Sequence, residues 1–178
     1  MNLWNSYFKP VAVLLAICVA VGAILSGVNA LTAPAIAANE EASRNATYFA
    51  ALPEADSFTS LECGMDGVTA VLKADNGAGY VITAQARGYG GQVPAAVSFS
   101  PDGTIQKVVM MSNDETPGLG QKVTDEDFSG QFAGRAAESI ALSDIDSVSG
   151  ATISSRAALA AVNLAIAAYQ QIIGGAGA

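Results

Sequence analysis

The sequence contains no histidine and only two cysteines, Cys18 and Cys63. Histidine is the commonest metal ligand and general base in proteins, so zinc hydrolases and catalytic triads built on an imidazole are excluded. Two cysteines cannot build a disulfide scaffold, and they cannot supply the four thiolates that hold an iron–sulfur cluster. We therefore expect no metal site and no catalytic residue in this chain.

Basic residues are also scarce, because 8 Lys and Arg stand against 16 Asp and Glu and give a formal net charge of −8. Such an acidic chain repels the phosphate backbone of nucleic acids, so a nucleic-acid partner is disfavoured. Apolar residues make up 51% of the sequence, which is high for a soluble domain. Part of this apolar character is therefore expected to lie in lipid.

A long uncharged run covers residues 10–39. About 20 apolar residues span the hydrocarbon core of a bilayer, so residues 10–32 predict a membrane-spanning helix. Three aromatic side chains stand just before the run, as in an interfacial belt: Trp4, Tyr7 and Phe8. The sequence thus predicts a single-pass anchor in the inner or plasma membrane.

The charges that flank the run predict its orientation. Lys9 precedes it, whereas the first charges after it are Glu40 and Glu41. The positive-inside rule then places the N-terminus in the cytoplasm and the bulk of the chain on the outer, periplasmic or extracellular, side. A cleaved signal peptide is the alternative, with small residues at 33–35 or 35–37 for the cleavage site. Both interpretations predict an exported domain.

The remaining sequence predicts an α+β fold in which helices pack an antiparallel sheet. An amphipathic pattern from Pro34 to Pro53 predicts a membrane-proximal helix, and a final apolar stripe predicts a helix over 155–173. Between them, short apolar runs alternate with turn residues and predict a five-stranded meander, with Pro101-Asp102-Gly103 as its clearest hairpin. The predicted strands are 57–61, 68–73, 80–86, 95–100 and 104–111. The predicted domains are 1–33 (cytoplasmic tip and anchor), 34–55 (membrane-proximal helix) and 56–178 (a single globular domain).

One stretch combines the features of an anion site. Residues 146–152, Asp-Ser-Val-Ser-Gly-Ala-Thr, lead directly into the final helical pattern. A helix start leaves backbone N–H groups without intrahelical partners and carries partial positive charge, so it binds phosphate readily. Three hydroxyls, those of Ser149, Thr152 and Ser154, lie there together. An ordinary N-cap is the alternative, since Ser and Thr are common at helix starts.

The same stretch resembles the Asp-x-x-Ser-Gly-Ala-Thr flavinylation motif of the FMN-binding domain family. That family includes the G subunit of the Rnf complex and the C subunit of the sodium-pumping NADH:quinone oxidoreductase. Two further segments resemble the family in the same order: Gly-Tyr-Gly-Gly at 88–91 and Glu-Thr-Pro-Gly-Leu-Gly at 115–120. Many members place a histidine two residues before this Glu, where the present chain has Asn113.

The resemblance to the Rnf G subunits implies FMN joined to Thr152 through a phosphoester. It implies that the phosphate lies against the 149–153 turn and that Leu119 contacts the isoalloxazine. It further implies a separate ApbE-like flavin transferase for maturation, with Asp146 recognised by that enzyme or its metal. The cofactor-binding residues implied are Ser149, Gly150, Ala151, Ile153, Glu115, Thr116, Gly118, Leu119 and Gly120.

The function implied is that of a membrane-anchored electron-transfer subunit of an ion-translocating ferredoxin:NAD oxidoreductase complex. Its partners would be the membrane subunits of that complex, and the chain would not be a stand-alone enzyme. Two alternatives stay open at this point. One is an exported FMN-domain electron carrier or reductase that serves an extracellular acceptor, and the other is a non-redox scaffolding domain.

Overall fold

The computed structural model describes residues 9–175. The chain divides into two compact units between Arg44 and Asn45. The aromatic residues Trp4, Tyr7 and Phe8, which the sequence assigned to an interfacial belt, lie outside the described residues.

The first element is one long helix, α1, over Lys9–Ala51. Its large apolar side chains between Val11 and Leu31 are exposed, as expected for a surface that lipid covers. The helix predicted from Pro34 to Pro53 is the last part of α1, which continues through Pro34 without a break. A proline removes one helical hydrogen bond, but the alanines around Pro34 are the strongest helix formers and keep the helix continuous.

The globular unit is built on a five-stranded antiparallel sheet in the order β1-β2-β3-β4-β5, which confirms the predicted meander. The strands are β1 (Phe58–Leu61), β2 (Val68–Ala74), β3 (Tyr80–Arg87), β4 (Gln92–Phe99) and β5 (Ile105–Met110). The predicted Pro-Asp-Gly hairpin joins β4 to β5. There Gly103 has a φ of 88°, and its N–H donates to the Ser100 carbonyl at 3.0 Å. A left-handed φ of this kind is available to glycine at little cost.

The central strands β3 and β4 are buried on both faces. One face packs against the last helix, α3 (Thr152–Gly175), through Ile82, Val97 and Phe99. The other face, which includes Val81 and Ala96, packs against residues at the end of α1 and just beyond it. This double cover explains why β4 shows a nearly continuous apolar run rather than an alternating pattern.

Helix α3 is long and apolar enough to cross a membrane, as α1 is, but most of α3 is buried inside the globular unit. The side chains that it packs on the sheet include many alanines, such as Ala158, Ala161 and Ala165, all fully buried. Short side chains let the helix approach the sheet closely. The apolar stripe predicted for this helix is therefore core rather than a second span, and α3 begins at Thr152, three residues before the predicted start.

Residues 111–151 connect the sheet to α3 and run along one edge of the sheet. Ile105 in β5 donates its N–H to the Arg135 carbonyl at 2.8 Å and accepts from the Gly134 N–H at 2.8 Å. Within this connection lie α2 (Glu126–Ser129) and three short 3₁₀ helices, at Gly120–Thr124, Gly130–Phe132 and Leu142–Asp144. Two acidic residues, Glu126 and Asp127, open α2. The start of the β5 edge is thereby paired rather than left open.

The position of α3 in the core predicts a difference between two isoleucines on the same helix. Ile166 is 2% exposed and Ile173 is 41% exposed. Replacement of a fully buried isoleucine by alanine removes apolar contacts and leaves a cavity, so Ile166→Ala should lower the free energy of unfolding by about 2–5 kcal/mol. The matched control, Ile173→Ala, should lower it by less than about 1 kcal/mol. Urea denaturation of the full chain in detergent measures both, and equal losses would contradict the packing described.

Candidate ligand-binding site

A cavity of about 410 Å³ lies where three segments of the globular unit meet. These are the β3–β4 loop at residues 88–91, the loop at residues 115–120, and the first turn of α3. The cavity is lined by Tyr89, Thr116, Leu119, Gly120, Gly150, Ala151, Thr152, Ile153 and Ser154. A cavity of this size suits a small organic ligand or cofactor.

The start of α3 forms one wall of the cavity. A tight turn precedes the helix, in which the Ala151 N–H donates to the Val148 carbonyl at 3.0 Å and Gly150 has a φ of 77°. The first N–H groups of a helix have no intrahelical acceptor, and the helix dipole adds partial positive charge at this end. No acidic residue lies in the first turn of α3 to neutralise that charge. This wall is therefore suited to an anionic group such as a phosphate.

The segment that leads into this turn, residues 146–150, is held from two sides. The Gln131 side chain accepts from the Asp146 N–H at 2.6 Å and donates to the Asp146 carbonyl at 3.2 Å. The buried Ser155 hydroxyl accepts from the Val148 N–H at 3.0 Å and donates to the Ala151 carbonyl at 3.1 Å. Backbone groups that helix and sheet leave unpaired are thus satisfied by side chains, which fixes the approach to Thr152.

The loop at residues 115–120 forms a second wall. Its Leu119 N–H donates to the Thr116 carbonyl at 3.1 Å, and Gly118 has a φ of 73°. Proline followed by a glycine with positive φ is typical of a type II turn. This turn explains why residues 116–119 have the sequence Thr-Pro-Gly-Leu. Asn113 stabilises the start of the loop, because its side chain accepts from the Glu115 N–H at 3.2 Å and donates to the Met111 carbonyl at 3.1 Å.

Glu115 joins all three segments from behind the cavity. Its side chain is 1% exposed, and it accepts from the Ser154 hydroxyl at 2.5 Å and from the Gly90 N–H at 2.9 Å. Ser154 lies in the first turn of α3 and Gly90 in the β3–β4 loop. Hydrogen bonds to an ionised carboxylate are short and about twice as strong as neutral ones, so one side chain fastens both segments to the 115–120 loop.

The Glu115 carboxylate is charged although it is buried. Burial raises the pKa of Glu115, but the Ser154 hydroxyl and the backbone N–H groups of Gly90, Gly91 and Tyr89 together hold that pKa below its ordinary value of 4.5. Within residues 9–175 the one ion pair joins Arg44 to Glu40. The buried charge is therefore balanced by neutral hydrogen-bond donors rather than by a cation.

Three glycines allow the segments to approach Glu115. A Cβ on Gly88 would lie 2.4 Å from the Glu115 carboxylate, and one on Gly120 would lie 2.7 Å from the Ser154 hydroxyl. A Cβ on Gly90 would lie only 2.0 Å from the backbone oxygen of Asp114. None of these three glycines has a positive φ, so the sequence Gly-Tyr-Gly-Gly serves close approach rather than an unusual turn.

The structure brings most of the residues predicted from sequence to this cavity. Seven of them line it: Thr116, Leu119, Gly120, Gly150, Ala151, Thr152 and Ile153. Ser149 and Gly118 are exposed beside the cavity and are not among its lining residues, and Glu115 supports the wall from behind. Asp146 lies in a neighbouring groove together with Lys122, Asp125 and Asp127.

Sequence reasoning missed two residues of the site. Tyr89 lines the cavity although it is 71% exposed, and Gln131 holds the backbone of Asp146 from 15 residues away. Tyr89 could have been noticed as an aromatic residue between glycines. No local pattern could have revealed the role of Gln131, because its partner is reached only through the tertiary fold.

The chemistry of the walls suits a ligand that carries both a phosphate and an aromatic ring. The start of α3 offers unpaired N–H groups, while Tyr89, Leu119 and Ile153 expose apolar side chains at the same cavity. The sequence model of the FMN-binding domain matches residues 88–167, which include all three walls. The fold and the site thus define an FMN-binding domain.

Known proteins that are similar over the whole chain show to which family of FMN-binding proteins it belongs. The chain is 30% identical to the G subunit of the proton-translocating ferredoxin:NAD(+) oxidoreductase complex of Clostridium ljungdahlii, over 96% of each chain. It is 29% identical to the G subunit of the Na(+)-translocating complex of Acetobacterium woodii, over 95% of this chain and 94% of that protein. The chain therefore belongs to the family of G subunits of ion-translocating ferredoxin:NAD(+) oxidoreductase (Rnf) complexes.

A solved structure supports the fold. The crystal structure of Shewanella oneidensis NqrC superposes with a TM-score of 0.50 at 24% identity, covering 66% of this chain and 68% of that chain. With the family established, the exposed apolar helix α1 is a membrane anchor, and the α+β FMN-binding domain follows it.

The close contact at Gly90 predicts a contrast between two adjacent glycines. A methyl group at Gly90 would collide with the Asp114 backbone, whereas one at Gly91 would make an ordinary contact at 3.5 Å. Gly90→Ala should lower the free energy of unfolding by about 1–3 kcal/mol or more, and Gly91→Ala should change it by less than about 1 kcal/mol. Thermal denaturation of the detergent-solubilised chain measures both. Equal effects would show that the loop does not pack on Asp114.

The lowered pKa of Glu115 predicts how its contribution to stability depends on pH. A carboxyl whose pKa is lower in the folded state stabilises the fold above its unfolded pKa, and this contribution is lost as the pH falls through the folded pKa. Glu115→Gln should lower the free energy of unfolding by about 1–3 kcal/mol at pH 7. The difference from the unmodified sequence should shrink as the pH falls below about 4.5.

Urea denaturation of both proteins at a series of pH values measures that difference. Asp75 and Asp102 also have lowered pKa values, held down by hydrogen bonds from neighbouring hydroxyls. Both aspartates are present in both proteins, so their effect cancels in the difference between the two free energies of unfolding. A difference that stays constant or grows as the pH falls would contradict an ionised Glu115.

Proposed function

We propose that this protein is the membrane-anchored, electron-transferring G subunit of an Rnf-type complex and carries FMN covalently on Thr152. The observation that carries the proposal is the position of Thr152. Its side chain is exposed, it lines the cavity, and it lies in the first turn of α3. The relatives among Rnf G subunits and the match to the FMN-binding domain support the same cofactor.

The link we propose is a phosphoester between the Thr152 hydroxyl oxygen and the phosphorus of FMN. When FAD is the donor, the threonine oxygen replaces AMP on the FMN phosphorus, the hydroxyl proton is lost, and AMP leaves. The chain offers no activating base for this step among its buried side chains, since Glu115 is the one buried charged residue of the described part and is engaged by Ser154 and Gly90. A separate flavin transferase therefore fits the site, and the exposure of Thr152 gives it access.

Asp146 is our candidate for recognition by that transferase or its metal. Its side chain is exposed, and its backbone is fixed by Gln131 at both its N–H and its carbonyl. The groove that holds Asp146 borders the segment leading to Thr152. An enzyme that recognises Asp146 there would approach the acceptor hydroxyl along a segment of fixed geometry.

Different residues of the cavity would bind different parts of the cofactor. The N–H groups of Thr152 and Ile153 would hold the phosphate. Leu119, with Thr116 and Gly120, would lie along the ring system. FMN supplies the electron transfer, while the protein supplies binding, position and electrostatic environment. Occupancy of a freely dissociating cofactor falls with its concentration, so a covalent bond keeps the site filled wherever free FMN is scarce.

The flanking charges of the membrane anchor indicate on which side of the membrane the FMN domain would lie. Lys9 before the apolar run and Glu40 and Glu41 after it favour a cytoplasmic N-terminus, which would place the FMN domain on the outer side. Residues 10–39 contain no charged side chain that could relay an ion across the membrane. Ion movement would therefore depend on other membrane subunits, which we propose as the partners of this chain.

The attachment site is tested by flavin fluorescence after denaturing electrophoresis of full-length protein produced together with its transferase. We expect fluorescence from the unmodified sequence and its complete loss in Thr152→Ala, because the acceptor oxygen is gone. Thr116→Ala removes a hydroxyl from another wall of the same cavity and should keep the flavin. The tryptic peptide at 136–156 should be heavier by one FMN less one water.

Flavin that remains on Thr152→Ala through denaturation would overturn the assignment of the bond. Unmodified protein that carries no flavin when isolated from its own cells would overturn the redox function and favour an exported scaffolding domain. Purification from native membranes separates the remaining possibilities. Co-purification with multi-span subunits supports the Rnf function, whereas a flavin-loaded chain that purifies alone supports a free-standing electron carrier.

A further inference from the structure

Tyr89 occupies an unusual position for an aromatic residue. Its side chain is 71% exposed, the largest exposed fraction among the large hydrophobic side chains of the globular unit within the described range. It nevertheless lines the cavity, together with the partly exposed Leu119 and Ile153. A large aromatic surface left open beside a cofactor cavity marks a contact for an aromatic ligand.

The backbone that carries Tyr89 is tightly held although its side chain is open. The loop is closed by a hydrogen bond from the Gly88 N–H to the Gly91 carbonyl at 2.7 Å. The next residue along, Gly90, packs against the Asp114 backbone and donates its N–H to Glu115 at 2.9 Å. The backbone on both sides of Tyr89 is thus held in place, although the Tyr89 side chain is exposed.

Glu115 links the loop that carries Tyr89 to the first turn of α3, which carries Thr152. The same carboxylate that holds Gly90 accepts the Ser154 hydroxyl at 2.5 Å, two residues after Thr152. The distance between the aromatic wall and the start of α3 therefore depends on one buried side chain. Without this carboxylate, the Gly90 N–H and the Ser154 hydroxyl would lose their common partner, and the loop could move away from the helix.

We propose that Tyr89 is a binding residue for the isoalloxazine ring and that Glu115 is the positioning residue that holds Tyr89 against it. This inference rests on the proposed function, because it needs flavin in the cavity. It adds the loop at residues 88–91 to the start of α3 and the 115–120 loop as a third segment that contacts the cofactor. The phenol ring offers an apolar face, and its hydroxyl makes it an oxidisable side chain.

A phenol in contact with a flavin has a measurable signature. On excitation, one electron passes from the phenol to the flavin and then returns, so the excited state decays without emission and nothing is consumed. Phenylalanine has a similar ring but is not readily oxidised, whereas tryptophan is. The lifetime of flavin fluorescence in the native protein therefore reports whether residue 89 touches the ring.

The experiment uses full-length, flavin-loaded protein in detergent and measures this lifetime in the native state. We expect a short lifetime for the unmodified sequence, a longer one for Tyr89→Phe, and a return to a short one for Tyr89→Trp. Tyr48→Phe is the matched control, because Tyr48 packs with the cluster on the other face of the sheet, and it should leave the lifetime unchanged. The lifetime belongs to bound flavin only, so incomplete loading does not affect it.

The role of Glu115 is tested by combining changes. Glu115→Gln should lengthen the lifetime in the unmodified background, because the loop that carries Tyr89 is loosened. It should have no such effect when Tyr89→Phe is already present. A general structural defect would instead alter the lifetime equally in both backgrounds, and that result would overturn the positioning role.

The outcomes separate this inference from the function on which it rests. A flavin-loaded protein whose lifetime is unchanged by Tyr89→Phe would overturn the inference and leave the proposed function standing. Unmodified protein without flavin after denaturing electrophoresis would overturn both. A lengthened lifetime in Tyr89→Phe that Tyr89→Trp reverses would support the contact.

Discussion

The geometry of the cavity depends on one buried negative charge. Glu115 has no cationic partner in the described part of the chain, and its carboxylate is held by the Ser154 hydroxyl and by backbone N–H groups of the 88–91 loop. A buried charge with too few donors is costly, so each of these donors is needed. The carboxylate therefore selects one arrangement of three segments that are far apart in sequence. The cavity is the space that this arrangement leaves between them.

Helix α3 serves the core and the site at once. Its buried alanines and larger apolar side chains pack on β3 and β4, while its first turn provides Thr152 and unpaired N–H groups to the cavity. The helix cannot shift along the sheet without loss of that packing, since protein interiors are close-packed. The Thr152 hydroxyl thereby acquires a fixed position from the hydrophobic core rather than from a flexible loop.

The sequence allowed much of the fold to be predicted, because periodicity is a local property. The five-stranded meander, the Pro-Asp-Gly hairpin and the buried stripe of α3 all follow from spacing. Helix α1 continues through Pro34, since the flanking alanines outweigh one missing hydrogen bond. The gathering of Thr152 and the 115–120 loop at one cavity agrees with the family resemblance. The contacts of Glu115 and Gln131 with residues 39 and 15 positions away leave no local pattern and required the tertiary structure.

The order of elements along the chain has a consequence for biogenesis. In the meander, each strand pairs with its neighbour in sequence, so the sheet can assemble from short-range contacts as the polypeptide is synthesised. Helix α3 comes last, and until the ribosome has made it, the face of β3 and β4 that it covers stays open to water or to chaperones. The threonine that begins this helix is thus among the final parts of the protein to reach its native surroundings. Under the function proposed above, a nascent or truncated chain that lacks α3 would offer a flavin transferase no acceptor, so flavin loading would act as a check that the whole domain has folded.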